Sequence, residues 1–221
     1  MHWNFAPELL IGLVLVSGVA YAFRNRLRMA PALGAVALMA FIFVSPFCAL
    51  GSALFTVRIV HDILLAVLLA PLVVAALRLD RQDIPGSLLA WTIVHALTFW
   101  IWHAPALYAE ALSSDLAFWA MQVSITGTAA IWWAKLVRAP APSATTALLA
   151  TMVAMGALGA LLTFSATALY EPHWMTTQVW GLSPLEDQQI AGIIMWAPAS
   201  LIYLFAALVI LYRSIDVRRA A

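Results

Sequence analysis

Long apolar runs separated by short polar stretches dominate this chain. A helix that crosses a bilayer needs about 20 predominantly apolar residues. Seven runs approach that length: 7–23, 30–48, 54–77, 86–103, 115–135, 143–169 and 188–212. They predict an all-α polytopic membrane protein, with seven transmembrane helices packed as one bundle and residues 1–221 forming a single domain. Pro7 suits the first helical position, and Glu8 suits the positive end of the helix dipole. The longest connections are 104–114 and 170–187.

The charges orient the runs. Of the 11 Lys and Arg residues, only Arg58 lies in the interior of a run; Lys135 ends one. Arg24, Arg26, Arg28, Arg78, Arg81, Lys135, Arg138, Arg213, Arg218 and Arg219 all fall on one side of a seven-span chain. Cytoplasmic loops carry such an excess, so the N-terminus is expected outside and the C-terminus in the cytoplasm. A cleaved signal peptide carries its positive charges before the apolar run. Here Met1 to Ala6 has none and the arginines follow, so the first run reads as a retained span. Only 10% of residues are charged and 65% are hydrophobic, against about a quarter charged in a soluble domain. A net charge of +1 gives no reason to expect a nucleic-acid partner. The lone Cys48 excludes an internal disulfide and a Cys-x-x-Cys site. Gly156 and Ala160 form a small-xxx-small pair that predicts a helix contact.

Ionisable groups inside a span are costly and are usually paired or functional. Arg58, His61 and Asp62 lie in the outer third of the third run, at spacings that place them on neighbouring parts of one helix face. An Arg58–Asp62 ion pair is one reading. A neutral His61 imidazole poised as a metal ligand is another. His95 and His103 sit on the fourth run, about 12 Å apart along the helix axis, too far to share one ion on an unbroken helix. His2 and His173 join the outer side, with Asp187 nearby. Met195 offers a thioether of the kind that suits Cu(I). The chain has no His-Glu-x-x-His, Gly-x-Ser-x-Gly, P-loop or haem-attachment motif.

Three stretches together resemble the CtaG-type cytochrome c oxidase assembly proteins associated with caa-type haem–copper oxidases. The first runs from Arg58 through His61 and Asp62 to Ala70-Pro71-Leu72. The second runs from His95 through Trp100-Ile101-Trp102-His103-Ala104-Pro105 to Tyr108, with Trp132-Trp133 ending the next run. The third runs from Trp180 through Asp187-Gln188-Gln189 and Gly192 to Met195-Trp196. The resemblance spans residues 40–212 and implies a bacterial plasma (inner) membrane protein that helps a haem–copper oxidase mature. It implies roles for Arg58, His61, His95, His103, Asp187, Gln188 and Met195. Many relatives are expected to carry a second histidine where this chain has Asp62, and a His61/Asp62 pair is harder and less suited to Cu(I).

The resulting expectation is an assembly factor, not an enzyme, that handles or delivers copper at the outer face. His61 and His103 would be ligands, with Asp62, Met195, His173 and His95 as further candidates. Arg58, Asp187 and Gln188 would orient ligands and balance charge. The implied partners are a haem–copper oxidase subunit, membrane lipid and a periplasmic copper chaperone. Two other readings stay open. A membrane-embedded zinc hydrolase would use a metal-activated water, but this chain lacks the His-x-x-x-His pair that such a site favours. A metal-free scaffold would use its histidines only for packing.

Overall fold

A computed structural model describes the backbone of residues 3–220 and the side chains of residues 3–215. His2 and the side chains of Arg218 and Arg219 lie outside these described residues. Within them the chain is all-helical. The helices are α1 Pro7–Ala22, α2 Met29–Val44, α3 Pro46–Ala53, α4 Phe55–Leu64, α5 Ala70–Leu77, α6 Leu88–Trp102, α7 Pro105–Ser113, α8 Asp115–Leu136, α9 Ala141–Phe164, α10 Pro184–Trp196 and α11 Pro198–Ala220.

Three described segments are long and apolar enough to cross a bilayer: Phe55–Leu77, Ala141–Phe164 and Pro184–Ile215. A fourth arises if α2 and α3, bent by 51°, form one broken span. Helices α1 and α6 are apolar but shorter. Helix α8 has 22 residues but carries Gln122, Ser124, Thr126 and Thr128.

Prolines explain most of the boundaries. The second run does not continue to Cys48 as one helix. Pro46 cannot donate to the preceding turn, and Ser45 ends α2 and caps α3 by accepting from Phe47 N at 3.2 Å. The expected loop after His103 contains α7, which starts at Pro105. The sixth run stops at Phe164 instead of Leu169. The seventh starts earlier, at Pro184, where Ser183 and Glu186 make a reciprocal capping box, and it breaks before Pro198.

The third run is continuous from Phe55 to Leu77 but changes pitch at a π-helical turn, Leu65–Leu69. Pro71 is the cause. In the π register Ala70 N donates to Leu65 O. The next carbonyl, Ala66 O, would then need an N–H from residue 71, a proline with none. The Trp133 indole N–H fills that gap at 2.9 Å. Inside a bilayer, where water cannot substitute, such replacement bonds allow a helix to carry proline.

Helices α9 and α10 cross in close contact at two glycines. A Cβ at Gly192 would lie 2.6 Å from Gly159 O and 2.5 Å from Thr163 Oγ1. A Cβ at Gly159 would meet Gly192 O and Trp196 N at 2.8 Å. Gly156 also faces this seam, against Trp196. The tightest contact thus uses Gly159 and Gly192, not the expected pair of Gly156 and Ala160. At the basic end, Lys135 donates to Ile84 O and Arg28 N donates to Ala76 O.

Gly192→Ala is expected to lower stability by about 1–3 kcal/mol through overpacking. Gly12→Ala, where a Cβ meets nothing within 4 Å, should be neutral. Thermal unfolding in detergent checks the pair, and equal midpoints would contradict the crossing described.

Candidate functional site

Every helix begins with backbone N–H groups that have no intrahelical partner. At the start of α4 the cap position is Leu54, whose side chain cannot accept a hydrogen bond. A carboxylate from α10 takes over. Asp187 Oδ2 accepts from Phe55 N at 2.6 Å, and Oδ1 accepts from Thr56 N at 3.1 Å. The Thr56 hydroxyl donates back to Asp187 O at 2.9 Å. Asp187 is fully buried, and its charge lies at the positive end of the α4 dipole.

Gln188 does similar work beside it. Its Oε1 accepts from Leu169 N at 2.7 Å, and its Nε2 donates to Thr167 O at 3.2 Å and Leu162 O at 3.3 Å. Both residues bind backbone. Among the described residues neither makes a hydrogen bond to a histidine.

Arg58, His61 and Asp62 follow on α4, all buried. The Arg58–Asp62 ion pair is not formed. Asp62 Oδ1 lies 3.3 Å from His61 Nδ1. The long Arg58 side chain reaches away from its own helix. Its guanidinium lies beside Gly51 of α3 and 5.3 Å from the Phe118 ring centroid on α8, a cation–π arrangement. None of its nitrogens has a hydrogen-bond partner among the described residues.

Three buried histidines share one chemical state. His103 ends α6, and its Nδ1 lies 2.7 Å from Phe99 O. A carbonyl only accepts, so Nδ1 carries the proton. His61 Nδ1 faces the Asp62 carboxylate, with the same consequence. His95 Nδ1 lies 3.3 Å from Thr128 Oγ1. The Thr128 hydroxyl proton goes to Ser124 O at 2.7 Å, so its oxygen accepts from His95. With Nδ1 donating, each ring in its neutral form presents a lone pair at Nε2. The Nε2 atoms of His61, His95 and His103 are all buried without a hydrogen-bond partner. This is how a metal-binding imidazole is usually held, with its other nitrogen donating to a carboxylate, carbonyl or hydroxyl.

Each ring is packed among aromatic side chains. His61 packs on Phe43 and Phe47, with centroids at 5.3 and 6.2 Å. His103 stacks on Phe99 at 4.9 Å and meets Phe55 at 6.4 Å. His95 stacks on Trp132 at 5.7 Å. Met195 lines a small apolar cavity with Ile63, Val67, Phe99 and Met155, and no histidine lines it. Among the described residues no three His, Cys, Asp or Glu side chains converge on one point. Imidazole donors fit a soft or borderline cation, but among the described residues no closed site of three His, Cys, Asp or Glu donors is built.

His173 occupies the short turn Glu171–His173 and is buried. Its Nε2 lies 2.7 Å from the Tyr108 hydroxyl, which leaves Nδ1 without a partner. Burial holds its imidazole below the ordinary histidine range. Tyr170 donates to His103 O at 2.8 Å and stacks on Phe55 at 4.0 Å. Phe55, Tyr108 and Tyr170 thus join His103 to His173, and sequence reasoning missed all three. Tyr108 does close the stretch that contains His103, and a buried tyrosine needs a hydrogen-bond partner, but nothing in that stretch names His173.

A family model described as cytochrome c oxidase caa3 assembly factor matches residues 84–216, more than half of the chain. The match contains His95, His103, His173, Asp187, Gln188 and Met195. Arg58, His61 and Asp62 precede it. No curated protein and no solved structure matches.

Asp187→Ala removes a buried cap and strands two N–H groups, so it is expected to destabilise by about 2 kcal/mol. Asp187→Asn, which keeps an acceptor, should cost less. Detergent unfolding of both variants checks the order, and an unchanged midpoint in Asp187→Ala would refute the cap. His173 generates a pH effect. Its folded value is lowered, so its contribution is present above the unfolded value of about 6.5 and is lost as pH falls below it. Unfolding midpoints measured from pH 7 down to 5 should therefore fall less steeply in His173→Gln than in the native chain.

Proposed function

The chain belongs to the cytochrome c oxidase caa3 assembly factor family, and from that premise we propose that it handles copper at the outer face of a bacterial plasma membrane while a haem–copper oxidase matures. The proposal keeps the seven-span single bundle, with the N-terminus outside and the C-terminus in the cytoplasm. The clustering of Lys and Arg at one end supports that orientation. The end that holds the α4 cap, His103 and His173 is then outermost.

One observation carries the copper reading: buried imidazoles whose Nε2 lone pairs face no protein donor. His61 and His103 are the first two donors. Their environment supports weak holding, because no three His, Cys, Asp or Glu side chains converge among the described residues. A cargo ion must leave, so weak holding suits transfer. Asp62 and the Phe99 carbonyl keep the two rings in the binding tautomer. Asp187 and Gln188 position α4 and the 165–169 segment through backbone bonds. The role is assembly, not catalysis. An oxidase subunit is the proposed client and a periplasmic copper chaperone the proposed source.

The test is oxidase maturation in cells lacking the chain, complemented with native protein, His61→Ala or His103→Ala at equal membrane abundance. Native protein should restore active, copper-loaded oxidase, and each variant should restore at least about tenfold less, a loss equivalent to about 1.4 kcal/mol. Full restoration by both variants would remove copper handling and favour the metal-free scaffold.

A further inference from the structure

No residue of α1 is buried, so this helix rests lightly on the bundle. A lateral hollow of about 320 Å³ opens between it and helices α2 and α5. That volume falls in the range of about 300–1,000 Å³ for ligand clefts. Its lining consists only of Ala, Val, Leu and Met side chains, among them Val19 of α1, Ala32 of α2 and Val73 of α5. Val16 and Met39 carry the lining on into a second hollow that reaches Glu8 and Phe43. An apolar channel therefore follows α1 along most of its length.

The basic end of this channel has a different chemistry. Leu27 and Leu77 line it there, and each is followed by an arginine, Arg28 and Arg78. Arg28 N donates to Ala76 O at 3.1 Å, which holds the α1–α2 loop against the end of α5 and brings both arginines to one rim. Both are exposed. Neither pairs with a carboxylate among the described residues, although Asp80 and Asp83 follow shortly after Arg78. Arg78 caps α5 in the left-handed region, at φ 53°. Glycine takes that position without strain. What an arginine adds there is its charge.

An apolar channel that ends in two unpaired guanidiniums matches a phospholipid. An acyl chain suits the lining, and a phosphate suits the planar fork of arginine. Basic pockets between transmembrane helices hold anionic headgroups in this way. We propose that the channel binds an acyl chain of an anionic phospholipid whose phosphate sits on Arg28 and Arg78. The lipid fills the gap beside α1 and ties that helix to α2 and α5. A partner helix would need a carboxylate placed at this one end, whereas an anionic phospholipid carries its phosphate there with the chain attached. The proposal rests on reading the chain as membrane-embedded. It depends neither on copper nor on the oxidase.

The test is native mass spectrometry of the purified full chain in detergent, with phosphatidylglycerol or phosphatidylcholine added at equal concentration. The native chain should retain one phosphatidylglycerol about tenfold better than phosphatidylcholine. Arg28→Ala combined with Arg78→Gly should lower that retention about thirtyfold, the worth of two basic residues beside an anionic headgroup. The left-handed cap accepts glycine, so this double variant keeps its fold. Arg213→Ala on α11 should leave retention unchanged. Val16→Trp fills the channel from a helix with no buried residues and should displace the lipid with both arginines in place. Equal retention of the two lipids, equal loss in Arg213→Ala and the double variant, or full retention in Val16→Trp would overturn the proposal. So would displacement by inorganic phosphate alone, which would mean an anion site without a chain, or a second copy of this chain held in place of lipid. Oxidase maturation and copper binding do not enter this readout, so its failure leaves the proposed function standing.

Discussion

A single buried carboxylate organises the end of the bundle where the candidate chemistry lies. Asp187 leaves α10 and neutralises the start of α4 through two backbone N–H groups. Without it α4 would begin with bare donors in an apolar setting, since Leu54 offers no cap. The bond fixes the height of α4 against α10. Height then sets everything downstream: where Phe55 packs, how His61 meets Phe43, and where Arg58 lies beside Gly51. The Gly159–Gly192 crossing holds α10 on α9 from the other side. Cap and crossing together leave α10 little room to slide.

With the frame held, the histidines differ in place and agree in state. A carboxylate, a carbonyl and a hydroxyl each accept a hydrogen bond from one Nδ1, and each ring is left with an Nε2 that has no partner among the described residues. Packing alone would not favour this arrangement, because each bare nitrogen costs desolvation with no bond in return. That cost recurs at three histidines in one small bundle.

Some of this was legible in the sequence. Helix class followed from the apolar runs, and the start of α1 followed from Pro7, whereas the starts at Pro46, Pro105 and Pro184 were not expected. The family followed from the strings around His103 and Asp187, and the family match covers both. Other features were not legible for definite reasons. The Asp187 cap joins residues 131 and 132 positions apart, so no local pattern announces it. The Tyr108–His173 bond spans 65 positions. The Arg58–Asp62 pair, one of two readings left open, does not form, because helical spacing brings two residues near each other but does not choose the rotamer of a long guanidinium. Gly159 and Gly192 were overlooked because the sequence shows small residues but not the rotation of each helix about its axis. Span count is the least legible feature, since α6 is short, α8 is polar in part and α2 is broken from α3.

The central claim is that His61, His95 and His103 are neutral, protonated at Nδ1 and bare at Nε2. Nitrogen-15 NMR of the histidine-labelled protein in lipid nanodiscs, before and after addition of Cu(I), tests it most directly. The account predicts Nδ1-protonated tautomers for all three rings, with Cu(I) shifting the Nε2 resonances of His61 and His103. Nε2-protonated rings at those two positions, or resonances that ignore Cu(I), would contradict it.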